Sequence, residues 1–185
     1  MKDYGGRIEF ISVKGDLKEA LLWLNDASVR TTATLLTETK TLRWQDDNPP
    51  DQSPLSRPLG RLVEPDPALI CAGLVQSVAR KFNGHLLDET IAYFTTETKP
   101  ISAWVRAWQI QDWLPFQLKK LRAYLREWQI EHVTVKKRGS PLTPEKLIAQ
   151  LKLRGDQSCT LVLTPQGGQP IVMICADRIG GDECH

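Results

Sequence analysis

Long hydrophobic runs are absent from this 185-residue chain: no stretch approaches the ~18 consecutive apolar residues of a membrane-spanning helix, so no membrane partner is expected. Cysteine is scarce. Cys71, Cys159, Cys175 and Cys184 are the four, and none lies in a C-x-x-C pair, which removes the paired-thiol motifs. With no signal sequence at the N-terminus, they read as reduced thiols in a cytoplasmic protein, Cys159 and Cys175 as core residues of strands. Histidine is scarcer still. His85, His132 and His185 stand apart from any pattern that supplies a base or nucleophile partner. There is no G-x-S-x-G, no H-E-x-x-H and no Walker-type phosphate loop, which argues against the commonest hydrolase and nucleotide-binding motifs.

What is present is an ordinary globular composition with an uneven charge distribution. Hydrophobic residues make up 41% and charged residues 25%, enough apolar material for a sizeable core. The net charge is only +2, yet residues 119–154 carry +7, leaving −5 for the remainder. The ten cations of that window are Lys119, Lys120, Arg122, Arg126, Lys136, Lys137, Arg138, Lys146, Lys152 and Arg154, against Glu127, Glu131 and Glu145. Such a split points to an anionic partner or to a solvated charged face.

Periodicity orders the chain. Residues 8–13 read as a strand and Lys14-Gly15-Asp16 as a turn. Residues 18–24 fit either a helix, with Asp16 and Glu19 as a capping box, or the return strand of a hairpin. TTATLLT (31–37) and TKTLRW (39–44) read as strands. DDNPPDQSPLSRPLG (46–60) reads as a loop or linker. EPDPALICAGLVQSVARKF (64–82) reads as one helix capped by Asp66 and stopped at Asn83-Gly84. Strands follow at 91–96 and 101–114, then a helix over 115–129 with the stripe Phe116, Leu118, Leu121, Tyr124, Leu125 and Trp128. The strand 132–137, a helix over 143–153 capped by Thr143 with Pro144 at its first position, and strands 159–164 and 169–176 around Pro165-Gln166-Gly167-Gly168 complete an α+β layer.

Three short stretches invite chemistry. NPPD (48–51) has part of the (D/N)PP(Y/F) turn with which some nucleic-acid amino-methyltransferases hold an amine, but Asp51 occupies the aromatic place, and a proline-rich linker is the reading adopted. ADRIGGDECH (176–185) begins like a cofactor loop without the helix such a loop needs, and Cys184-His185 is two ligands short of a metal site. Arg154-Gly155-Asp156 reads as a helix end. No catalytic or metal-ligating residue emerges. The basic cluster is the candidate site. Lys119, Lys120, Arg122, Arg126, Lys136, Lys137, Arg138, Lys152 and Arg154 are the candidate contacts to nucleic-acid phosphates, with a solvated charged face as the alternative, and Gly139 would let backbone amides approach a phosphate.

EPDPALICAGL, LPFQLKKLRAYLREWQI, VTVKKRGSPLTPEKLIAQLKLRGD and TLVLTPQGGQPIVMICADR together resemble the C-terminal, THUMP-like region of bacterial class I S-adenosylmethionine-dependent methyltransferase-like proteins. EFISVKGDLKEALLWLND followed by RTTATLL resembles the last strands of the preceding methyltransferase domain, which makes 18–24 a strand. The resemblance implies antiparallel N-terminal strands, the remnant of a Rossmann-like sheet, followed by a compact THUMP-like α/β layer. It implies residues 1–45 as terminal strands, 46–61 as linker, 62–178 as the THUMP-like domain and 179–185 as a tail. S-adenosylmethionine serves the full-length family, but the first strand and glycine-rich loop that bind it have no match here, so the chain resembles a truncated product with no cofactor of its own. By analogy with true THUMP domains, structured RNA (a transfer or ribosomal RNA) is the expected partner. A separate methyltransferase domain or a second copy of the chain is the alternative.

Overall fold

The computed structural model describes residues 6–24, 31–46, 53–139 and 142–179. Strand β1 (Gly6–Val13) turns through Lys14 and Gly15, both at positive φ (52° and 82°), into strand β2 (Asp16–Leu24). Two consecutive positive φ values match the right-handed twist of a tight hairpin, and this resolves the ambiguity at 18–24 in favour of a strand. The capping-box pattern loses because β1 offers an antiparallel ladder from Gly6 opposite Leu24 to Val13 opposite Asp16, with one register shift between Ile11 and Ser12. Strands β3 (Thr31–Leu36) and β4 (Thr41–Trp44) complete a four-stranded sheet in the order β2-β1-β3-β4. This sheet is mixed, not antiparallel as expected: β3 runs parallel to β1, with Phe10 opposite Ala33.

The second sheet has seven strands in the order β6-β7-β5-β8-β11-β10-β9. They are β5 (Arg61–Pro65), β6 (His85–Leu86), β7 (Phe94–Thr96), β8 (Val105–Pro115), β9 (Ile130–Lys137), β10 (Gln157–Gln166) and β11 (Gln169–Ile179). All neighbours are antiparallel except β9 and β10. Helix α4 (Pro144–Leu151) lies between β9 and β10 in sequence, because parallel neighbours need a crossover. Thr143 caps it through Lys146 N–H, with Pro144 in its first turn, as the sequence reading had it. The β10–β11 hairpin turns on Gly167 and Gly168, at φ 54° and 79°.

One expected helix is broken. Residues 61–65 are strand, and the rest divides into α1 (Pro67–Cys71) and α2 (Val75–Lys81), separated at Gly73 with φ 72°. The strand wins at 61–65 because β8 and β7 flank it on both sides, a tertiary constraint that local pattern does not carry. Segment 53–60, read as linker, runs beside the sheet: Leu86 N–H donates to Pro54 O, Ser56 N–H to Leu86 O, and Leu59 N–H to Thr95 Oγ1. Residues 48–51 and 180–185 lie outside the described residues.

Three apolar clusters hold these layers. The first joins Ala33 and Leu35 of β3, Leu69 and Val78 of α1 and α2, and Val63, Phe94, Val105 and Ala107 of the larger sheet, so both sheets share one core. The second packs Leu121 and Leu125 of α3 (Leu118–Glu127) and Leu147 and Leu151 of α4 on Leu161, Leu163, Val172 and Ile174. The third lies on the opposite face, where Leu62, Trp108, Val162 and Met173 meet Leu87 and Tyr93 from the segment between β6 and β7. That segment is pinned to the β10–β11 turn by Gly168 N–H to Asp88 Oδ2 at 2.8 Å and Gly167 N–H to Leu87 O at 3.1 Å. Cys159 and Cys175 are buried, and burial pushes the Cys175 thiol up to about 12. No helix among the described residues is long and apolar enough to cross a membrane.

Asp66 ties the sheets together. Its carboxylate accepts from Ser12 Oγ of β1 at 2.5 Å and from Ala68 N–H of α1 at 2.9 Å. Burial pushes the Asp66 carboxyl above its usual value, against the downward pull of Ser12, Ala68 and Arg106. The folded chain therefore binds this proton more tightly than the unfolded one. That contribution to stability is complete below the ordinary aspartate range and is lost as pH rises through the folded value. Urea denaturation of Asp66→Ala should show a loss of about 1–3 kcal/mol, the cap together with a stranded Ser12 hydroxyl. Asp66→Asn keeps the acceptor, so it should be milder, and the loss of stability with rising pH should disappear in it.

Candidate nucleic-acid interface

Strand β9 alternates sides, and this divides the run Lys136-Lys137-Arg138. Val133 and Val135 pack with α3 and α4, so Lys137 sits on the helix-covered face. Lys136 lies beside Val162, whose side chain belongs to the opposite cluster, and Arg138 follows it on that face. The three cations therefore do not converge.

On the helix-free face Lys136 and Arg138 close on one carboxylate. Lys136 Nζ reaches Glu64 Oε2 at 2.8 Å and Arg138 Nη2 reaches Glu64 Oε1 at 3.2 Å, while Tyr93 Oη donates to the same Oε1 at 3.4 Å. The cations also lie over rings, Lys136 at 4.3 Å from the Trp108 centroid and Arg138 at 5.4 Å from that of Tyr93. Lys136 is 29% and Arg138 38% exposed, so each keeps a path to solvent. Burial pushes the Glu64 carboxyl up, but the hydrogen bonds and charges of Lys136 and then Arg138 outweigh it and hold it below the usual glutamate range. Tyr93 is pushed up to about 12, first by burial and then by Glu64. The pattern is a neutralising clamp that joins β5 to the edge strand β9. Sequence reasoning missed it because Glu64 was placed at a helix start; alternation along 61–65 was the available signal.

The helical layer holds the rest. Lys119, Lys120 and Arg126 are exposed on α3, and Lys152 and Arg154 are exposed after α4. Arg122 is half-buried and spent locally, donating to Gln150 O of α4. The helix ends at Lys152, in the left-handed region at φ 51°, not at Gly155 as expected. Gly155 has another reason to be glycine. A Cβ there would meet Gln129 O at 1.9 Å, because Asp156 and Gln157 N–H both donate to that carbonyl. Gly139 is exposed at φ 68°, and a side chain there would press on Ile91 and Pro165.

Of the three strand-to-helix junctions, β9–α4 alone has a glycine among the described residues. Among the described residues, no group of three or more His, Cys, Asp or Glu side chains is placed to hold a metal.

The cations lie on α3, on β9 and just after it, and after α4, within a block that runs from β8 to β11, and this block has counterparts elsewhere. Residues 105–177 match the THUMP domain-like family model. The chain is also 30% identical, over 177 residues, to an uncharacterised S-adenosylmethionine-dependent methyltransferase found in two strains of Mycobacterium tuberculosis. The match takes in 94% of this chain and 48% of the relative, so the chain spans about half the length of the curated relatives it matches. A crystal structure from Porphyromonas gingivalis, described as a "putative methyltransferase", superposes with a TM-score of 0.70 at 20% identity over 92% of this chain and 45% of that one. It shares the fold. These similarities support a THUMP-like, methyltransferase-related chain.

Glu64→Gln should leave two partly buried cations without their counter-charge and cost about 1–3 kcal/mol, below the range for fully buried pairs because both cations reach solvent. The wild-type contribution of Glu64 is present above the ordinary glutamate range and lost as pH falls through the lower folded value. Denaturation midpoints of the two proteins should therefore converge in acid; midpoints that stay parallel would exclude the clamp as the cause.

Proposed function

We infer that this chain is the RNA-binding, THUMP-like accessory region of an S-adenosylmethionine-dependent methyltransferase-like protein, and that it does not itself hold the cofactor. The observation that carries the reading is the coincidence of the THUMP-like match over 105–177 with the basic segment. In this reading residues 62–178 form the THUMP-like domain, 46–61 the linker, and 1–45 the terminal strands of a methyltransferase-like sheet. The region presents structured RNA, a transfer or ribosomal RNA in the cytoplasm, to a methyltransferase domain.

The geometry sorts the nine proposed phosphate contacts by cost. Lys119, Lys120, Arg126, Lys137, Lys152 and Arg154 are exposed on the helical layer, where a polyanion reaches them. Lys136, Arg138 and Arg122 must first leave Glu64 or Gln150. Contacts of this kind position RNA by its backbone and follow its shape rather than its sequence. A second reading, a protein-docking module for a methyltransferase domain or a second copy, is favoured by the exposed leucines and tryptophan of β2.

Fluorescence anisotropy with a folded transfer RNA tests the first reading. Binding should weaken by tenfold or more between about 50 and 200 mM salt, as release of several counterions requires. The triple variant Lys119→Glu, Lys120→Glu, Arg126→Glu should abolish it, while Lys136→Gln should change it little. Absence of binding at low salt, or an unaffected triple variant, would remove RNA from the account.

A further inference from the structure

Between residues 105 and 177, two large apolar side chains are exposed among the described residues, Trp128 and Ile148. Both belong to the helical layer that carries the exposed cations. Trp128 is the more unusual. The apolar spacing of α3 places it with Leu121 and Leu125, yet it is 60% exposed while both leucines are fully buried.

The Trp128 ring is exposed but held. It stacks on Tyr124, with centroids 6.0 Å apart and planes 28° from parallel, so one side is supported and the other is left to solvent. Tyr124 is anchored in turn: it packs on the cluster beneath α3, and Asp112 of β8 lies beside its hydroxyl. The backbone is fixed as well. Trp128 N–H donates to Tyr124 O at 3.1 Å. Gln129 takes the left-handed region at φ 53°, and its Nε2 donates to Arg126 O at 3.0 Å. A ring already fixed in place loses little freedom when a flat partner lies on it.

Charge is arranged around this ring in a definite way. Lys120, Tyr124 and Trp128 follow at intervals of four residues, a single row of about 12 Å along α3. Beyond the ring, the Gln129 carbonyl accepts from Asp156 and Gln157 N–H, each at 3.0 Å, which holds the loop Arg154-Gly155-Asp156 against the helix end. Among the described residues, Lys119, Lys120, Arg126, Lys152 and Arg154 form no salt bridge. Carboxylates sit nearer the ring: Asp112 and Glu127 act on Tyr124, and Glu131 follows three residues after Trp128. A phosphate is therefore disfavoured at the ring and favoured at Lys120 and Arg154 on either side of it. The uncharged face of a base meets no such penalty. A protein partner fits less well, because one ring offers a small part of the ~1,200 Å² that a specific protein interface buries.

We propose that Trp128, backed by Tyr124, is a stacking platform for an unpaired nucleobase of the bound RNA, with Lys120 and the Arg154 loop meeting the phosphates on either side. Stacking of this kind is tolerant of base identity and adds to backbone binding without releasing counterions. The platform rests on the RNA reading above and deepens it: the helical layer takes RNA where a base is unpaired, not along a continuous duplex.

Anisotropy titrations at fixed salt test it with two probes, a folded transfer RNA, whose loops offer unpaired bases, and a blunt-ended RNA duplex, which offers none. Trp128→Ala should weaken the transfer RNA complex about tenfold and leave duplex affinity unchanged. Trp128→Phe keeps a ring and should keep most of the affinity; Trp128→Leu is apolar without a ring face and should behave like Trp128→Ala. If Trp128→Ala fails to fold, the contrast between Phe and Leu decides. Salt dependence should match wild type in all three variants, since no phosphate contact is lost, whereas Lys120→Gln should flatten it. Unchanged transfer RNA affinity in Trp128→Ala, or equal losses with transfer RNA and duplex, would overturn the platform and leave RNA binding standing. A wild-type chain that binds neither RNA at low salt would remove both. A dimer in light scattering that Trp128→Ala converts to monomer would assign the ring to a second copy and overturn the proposal.

Discussion

Strand β8 has to bury both of its faces, and most of the architecture follows from that demand. Val105 and Ala107 enter the core shared with the smaller sheet, while Trp108, Ile110 and Trp113 enter the cluster on the opposite side. A strand covered on both sides cannot sit at an edge. It therefore takes β5 on one flank and β11 on the other, with the register to β11 broken near Cys175. Its neighbours inherit the same requirement. Leu62 and Val63 of β5 point into different clusters, as do Val172 and Met173 of β11.

This demand also decides where charge can go. The face bearing Trp108 is closed partly by the segment around Leu87 and Tyr93, and at its border the cations of β9 meet Glu64 and the aromatic rings. The covering helices α3 and α4 bury Leu121, Leu125, Leu147 and Leu151 and turn Lys119, Lys120 and Arg126 outward. One basic segment thus divides in two. Part of it neutralises the half-buried Glu64 carboxylate and braces an edge strand; the rest lies exposed on the helical layer.

How much was legible depended on the range of the deciding interaction. The hairpin at Gly167-Gly168, the Thr143 cap with Pro144 and the apolar stripe of α3 are local, and sequence reading located them to within a few residues. Trp128 is the exception on that stripe: it caps the helix end and remains exposed. The strand at 61–65 and the parallel pairing of β1 with β3 depend on residues far away in the chain, whereas the break at Gly73 rests on local bonds, Gly73 N–H to Ile70 O and Leu74 N–H to Leu69 O. Local periodicity did not distinguish them from the helix and antiparallel strands that were expected.

The sequence by itself determined the mixed helix-and-strand character, the concentration of positive charge between residues 119 and 154, and the likeness to THUMP-like regions, because composition and ordered motifs are properties of the chain alone. Tertiary structure decided which cations share a surface. A strand sends successive side chains to opposite faces, and only the packing of α3 and α4 on one of them reveals that Lys137 lies with the helices while Lys136 and Arg138 lie with Glu64. It also decided that β2 is an open edge, since whether a strand is flanked on one side or two is a fact about its neighbours.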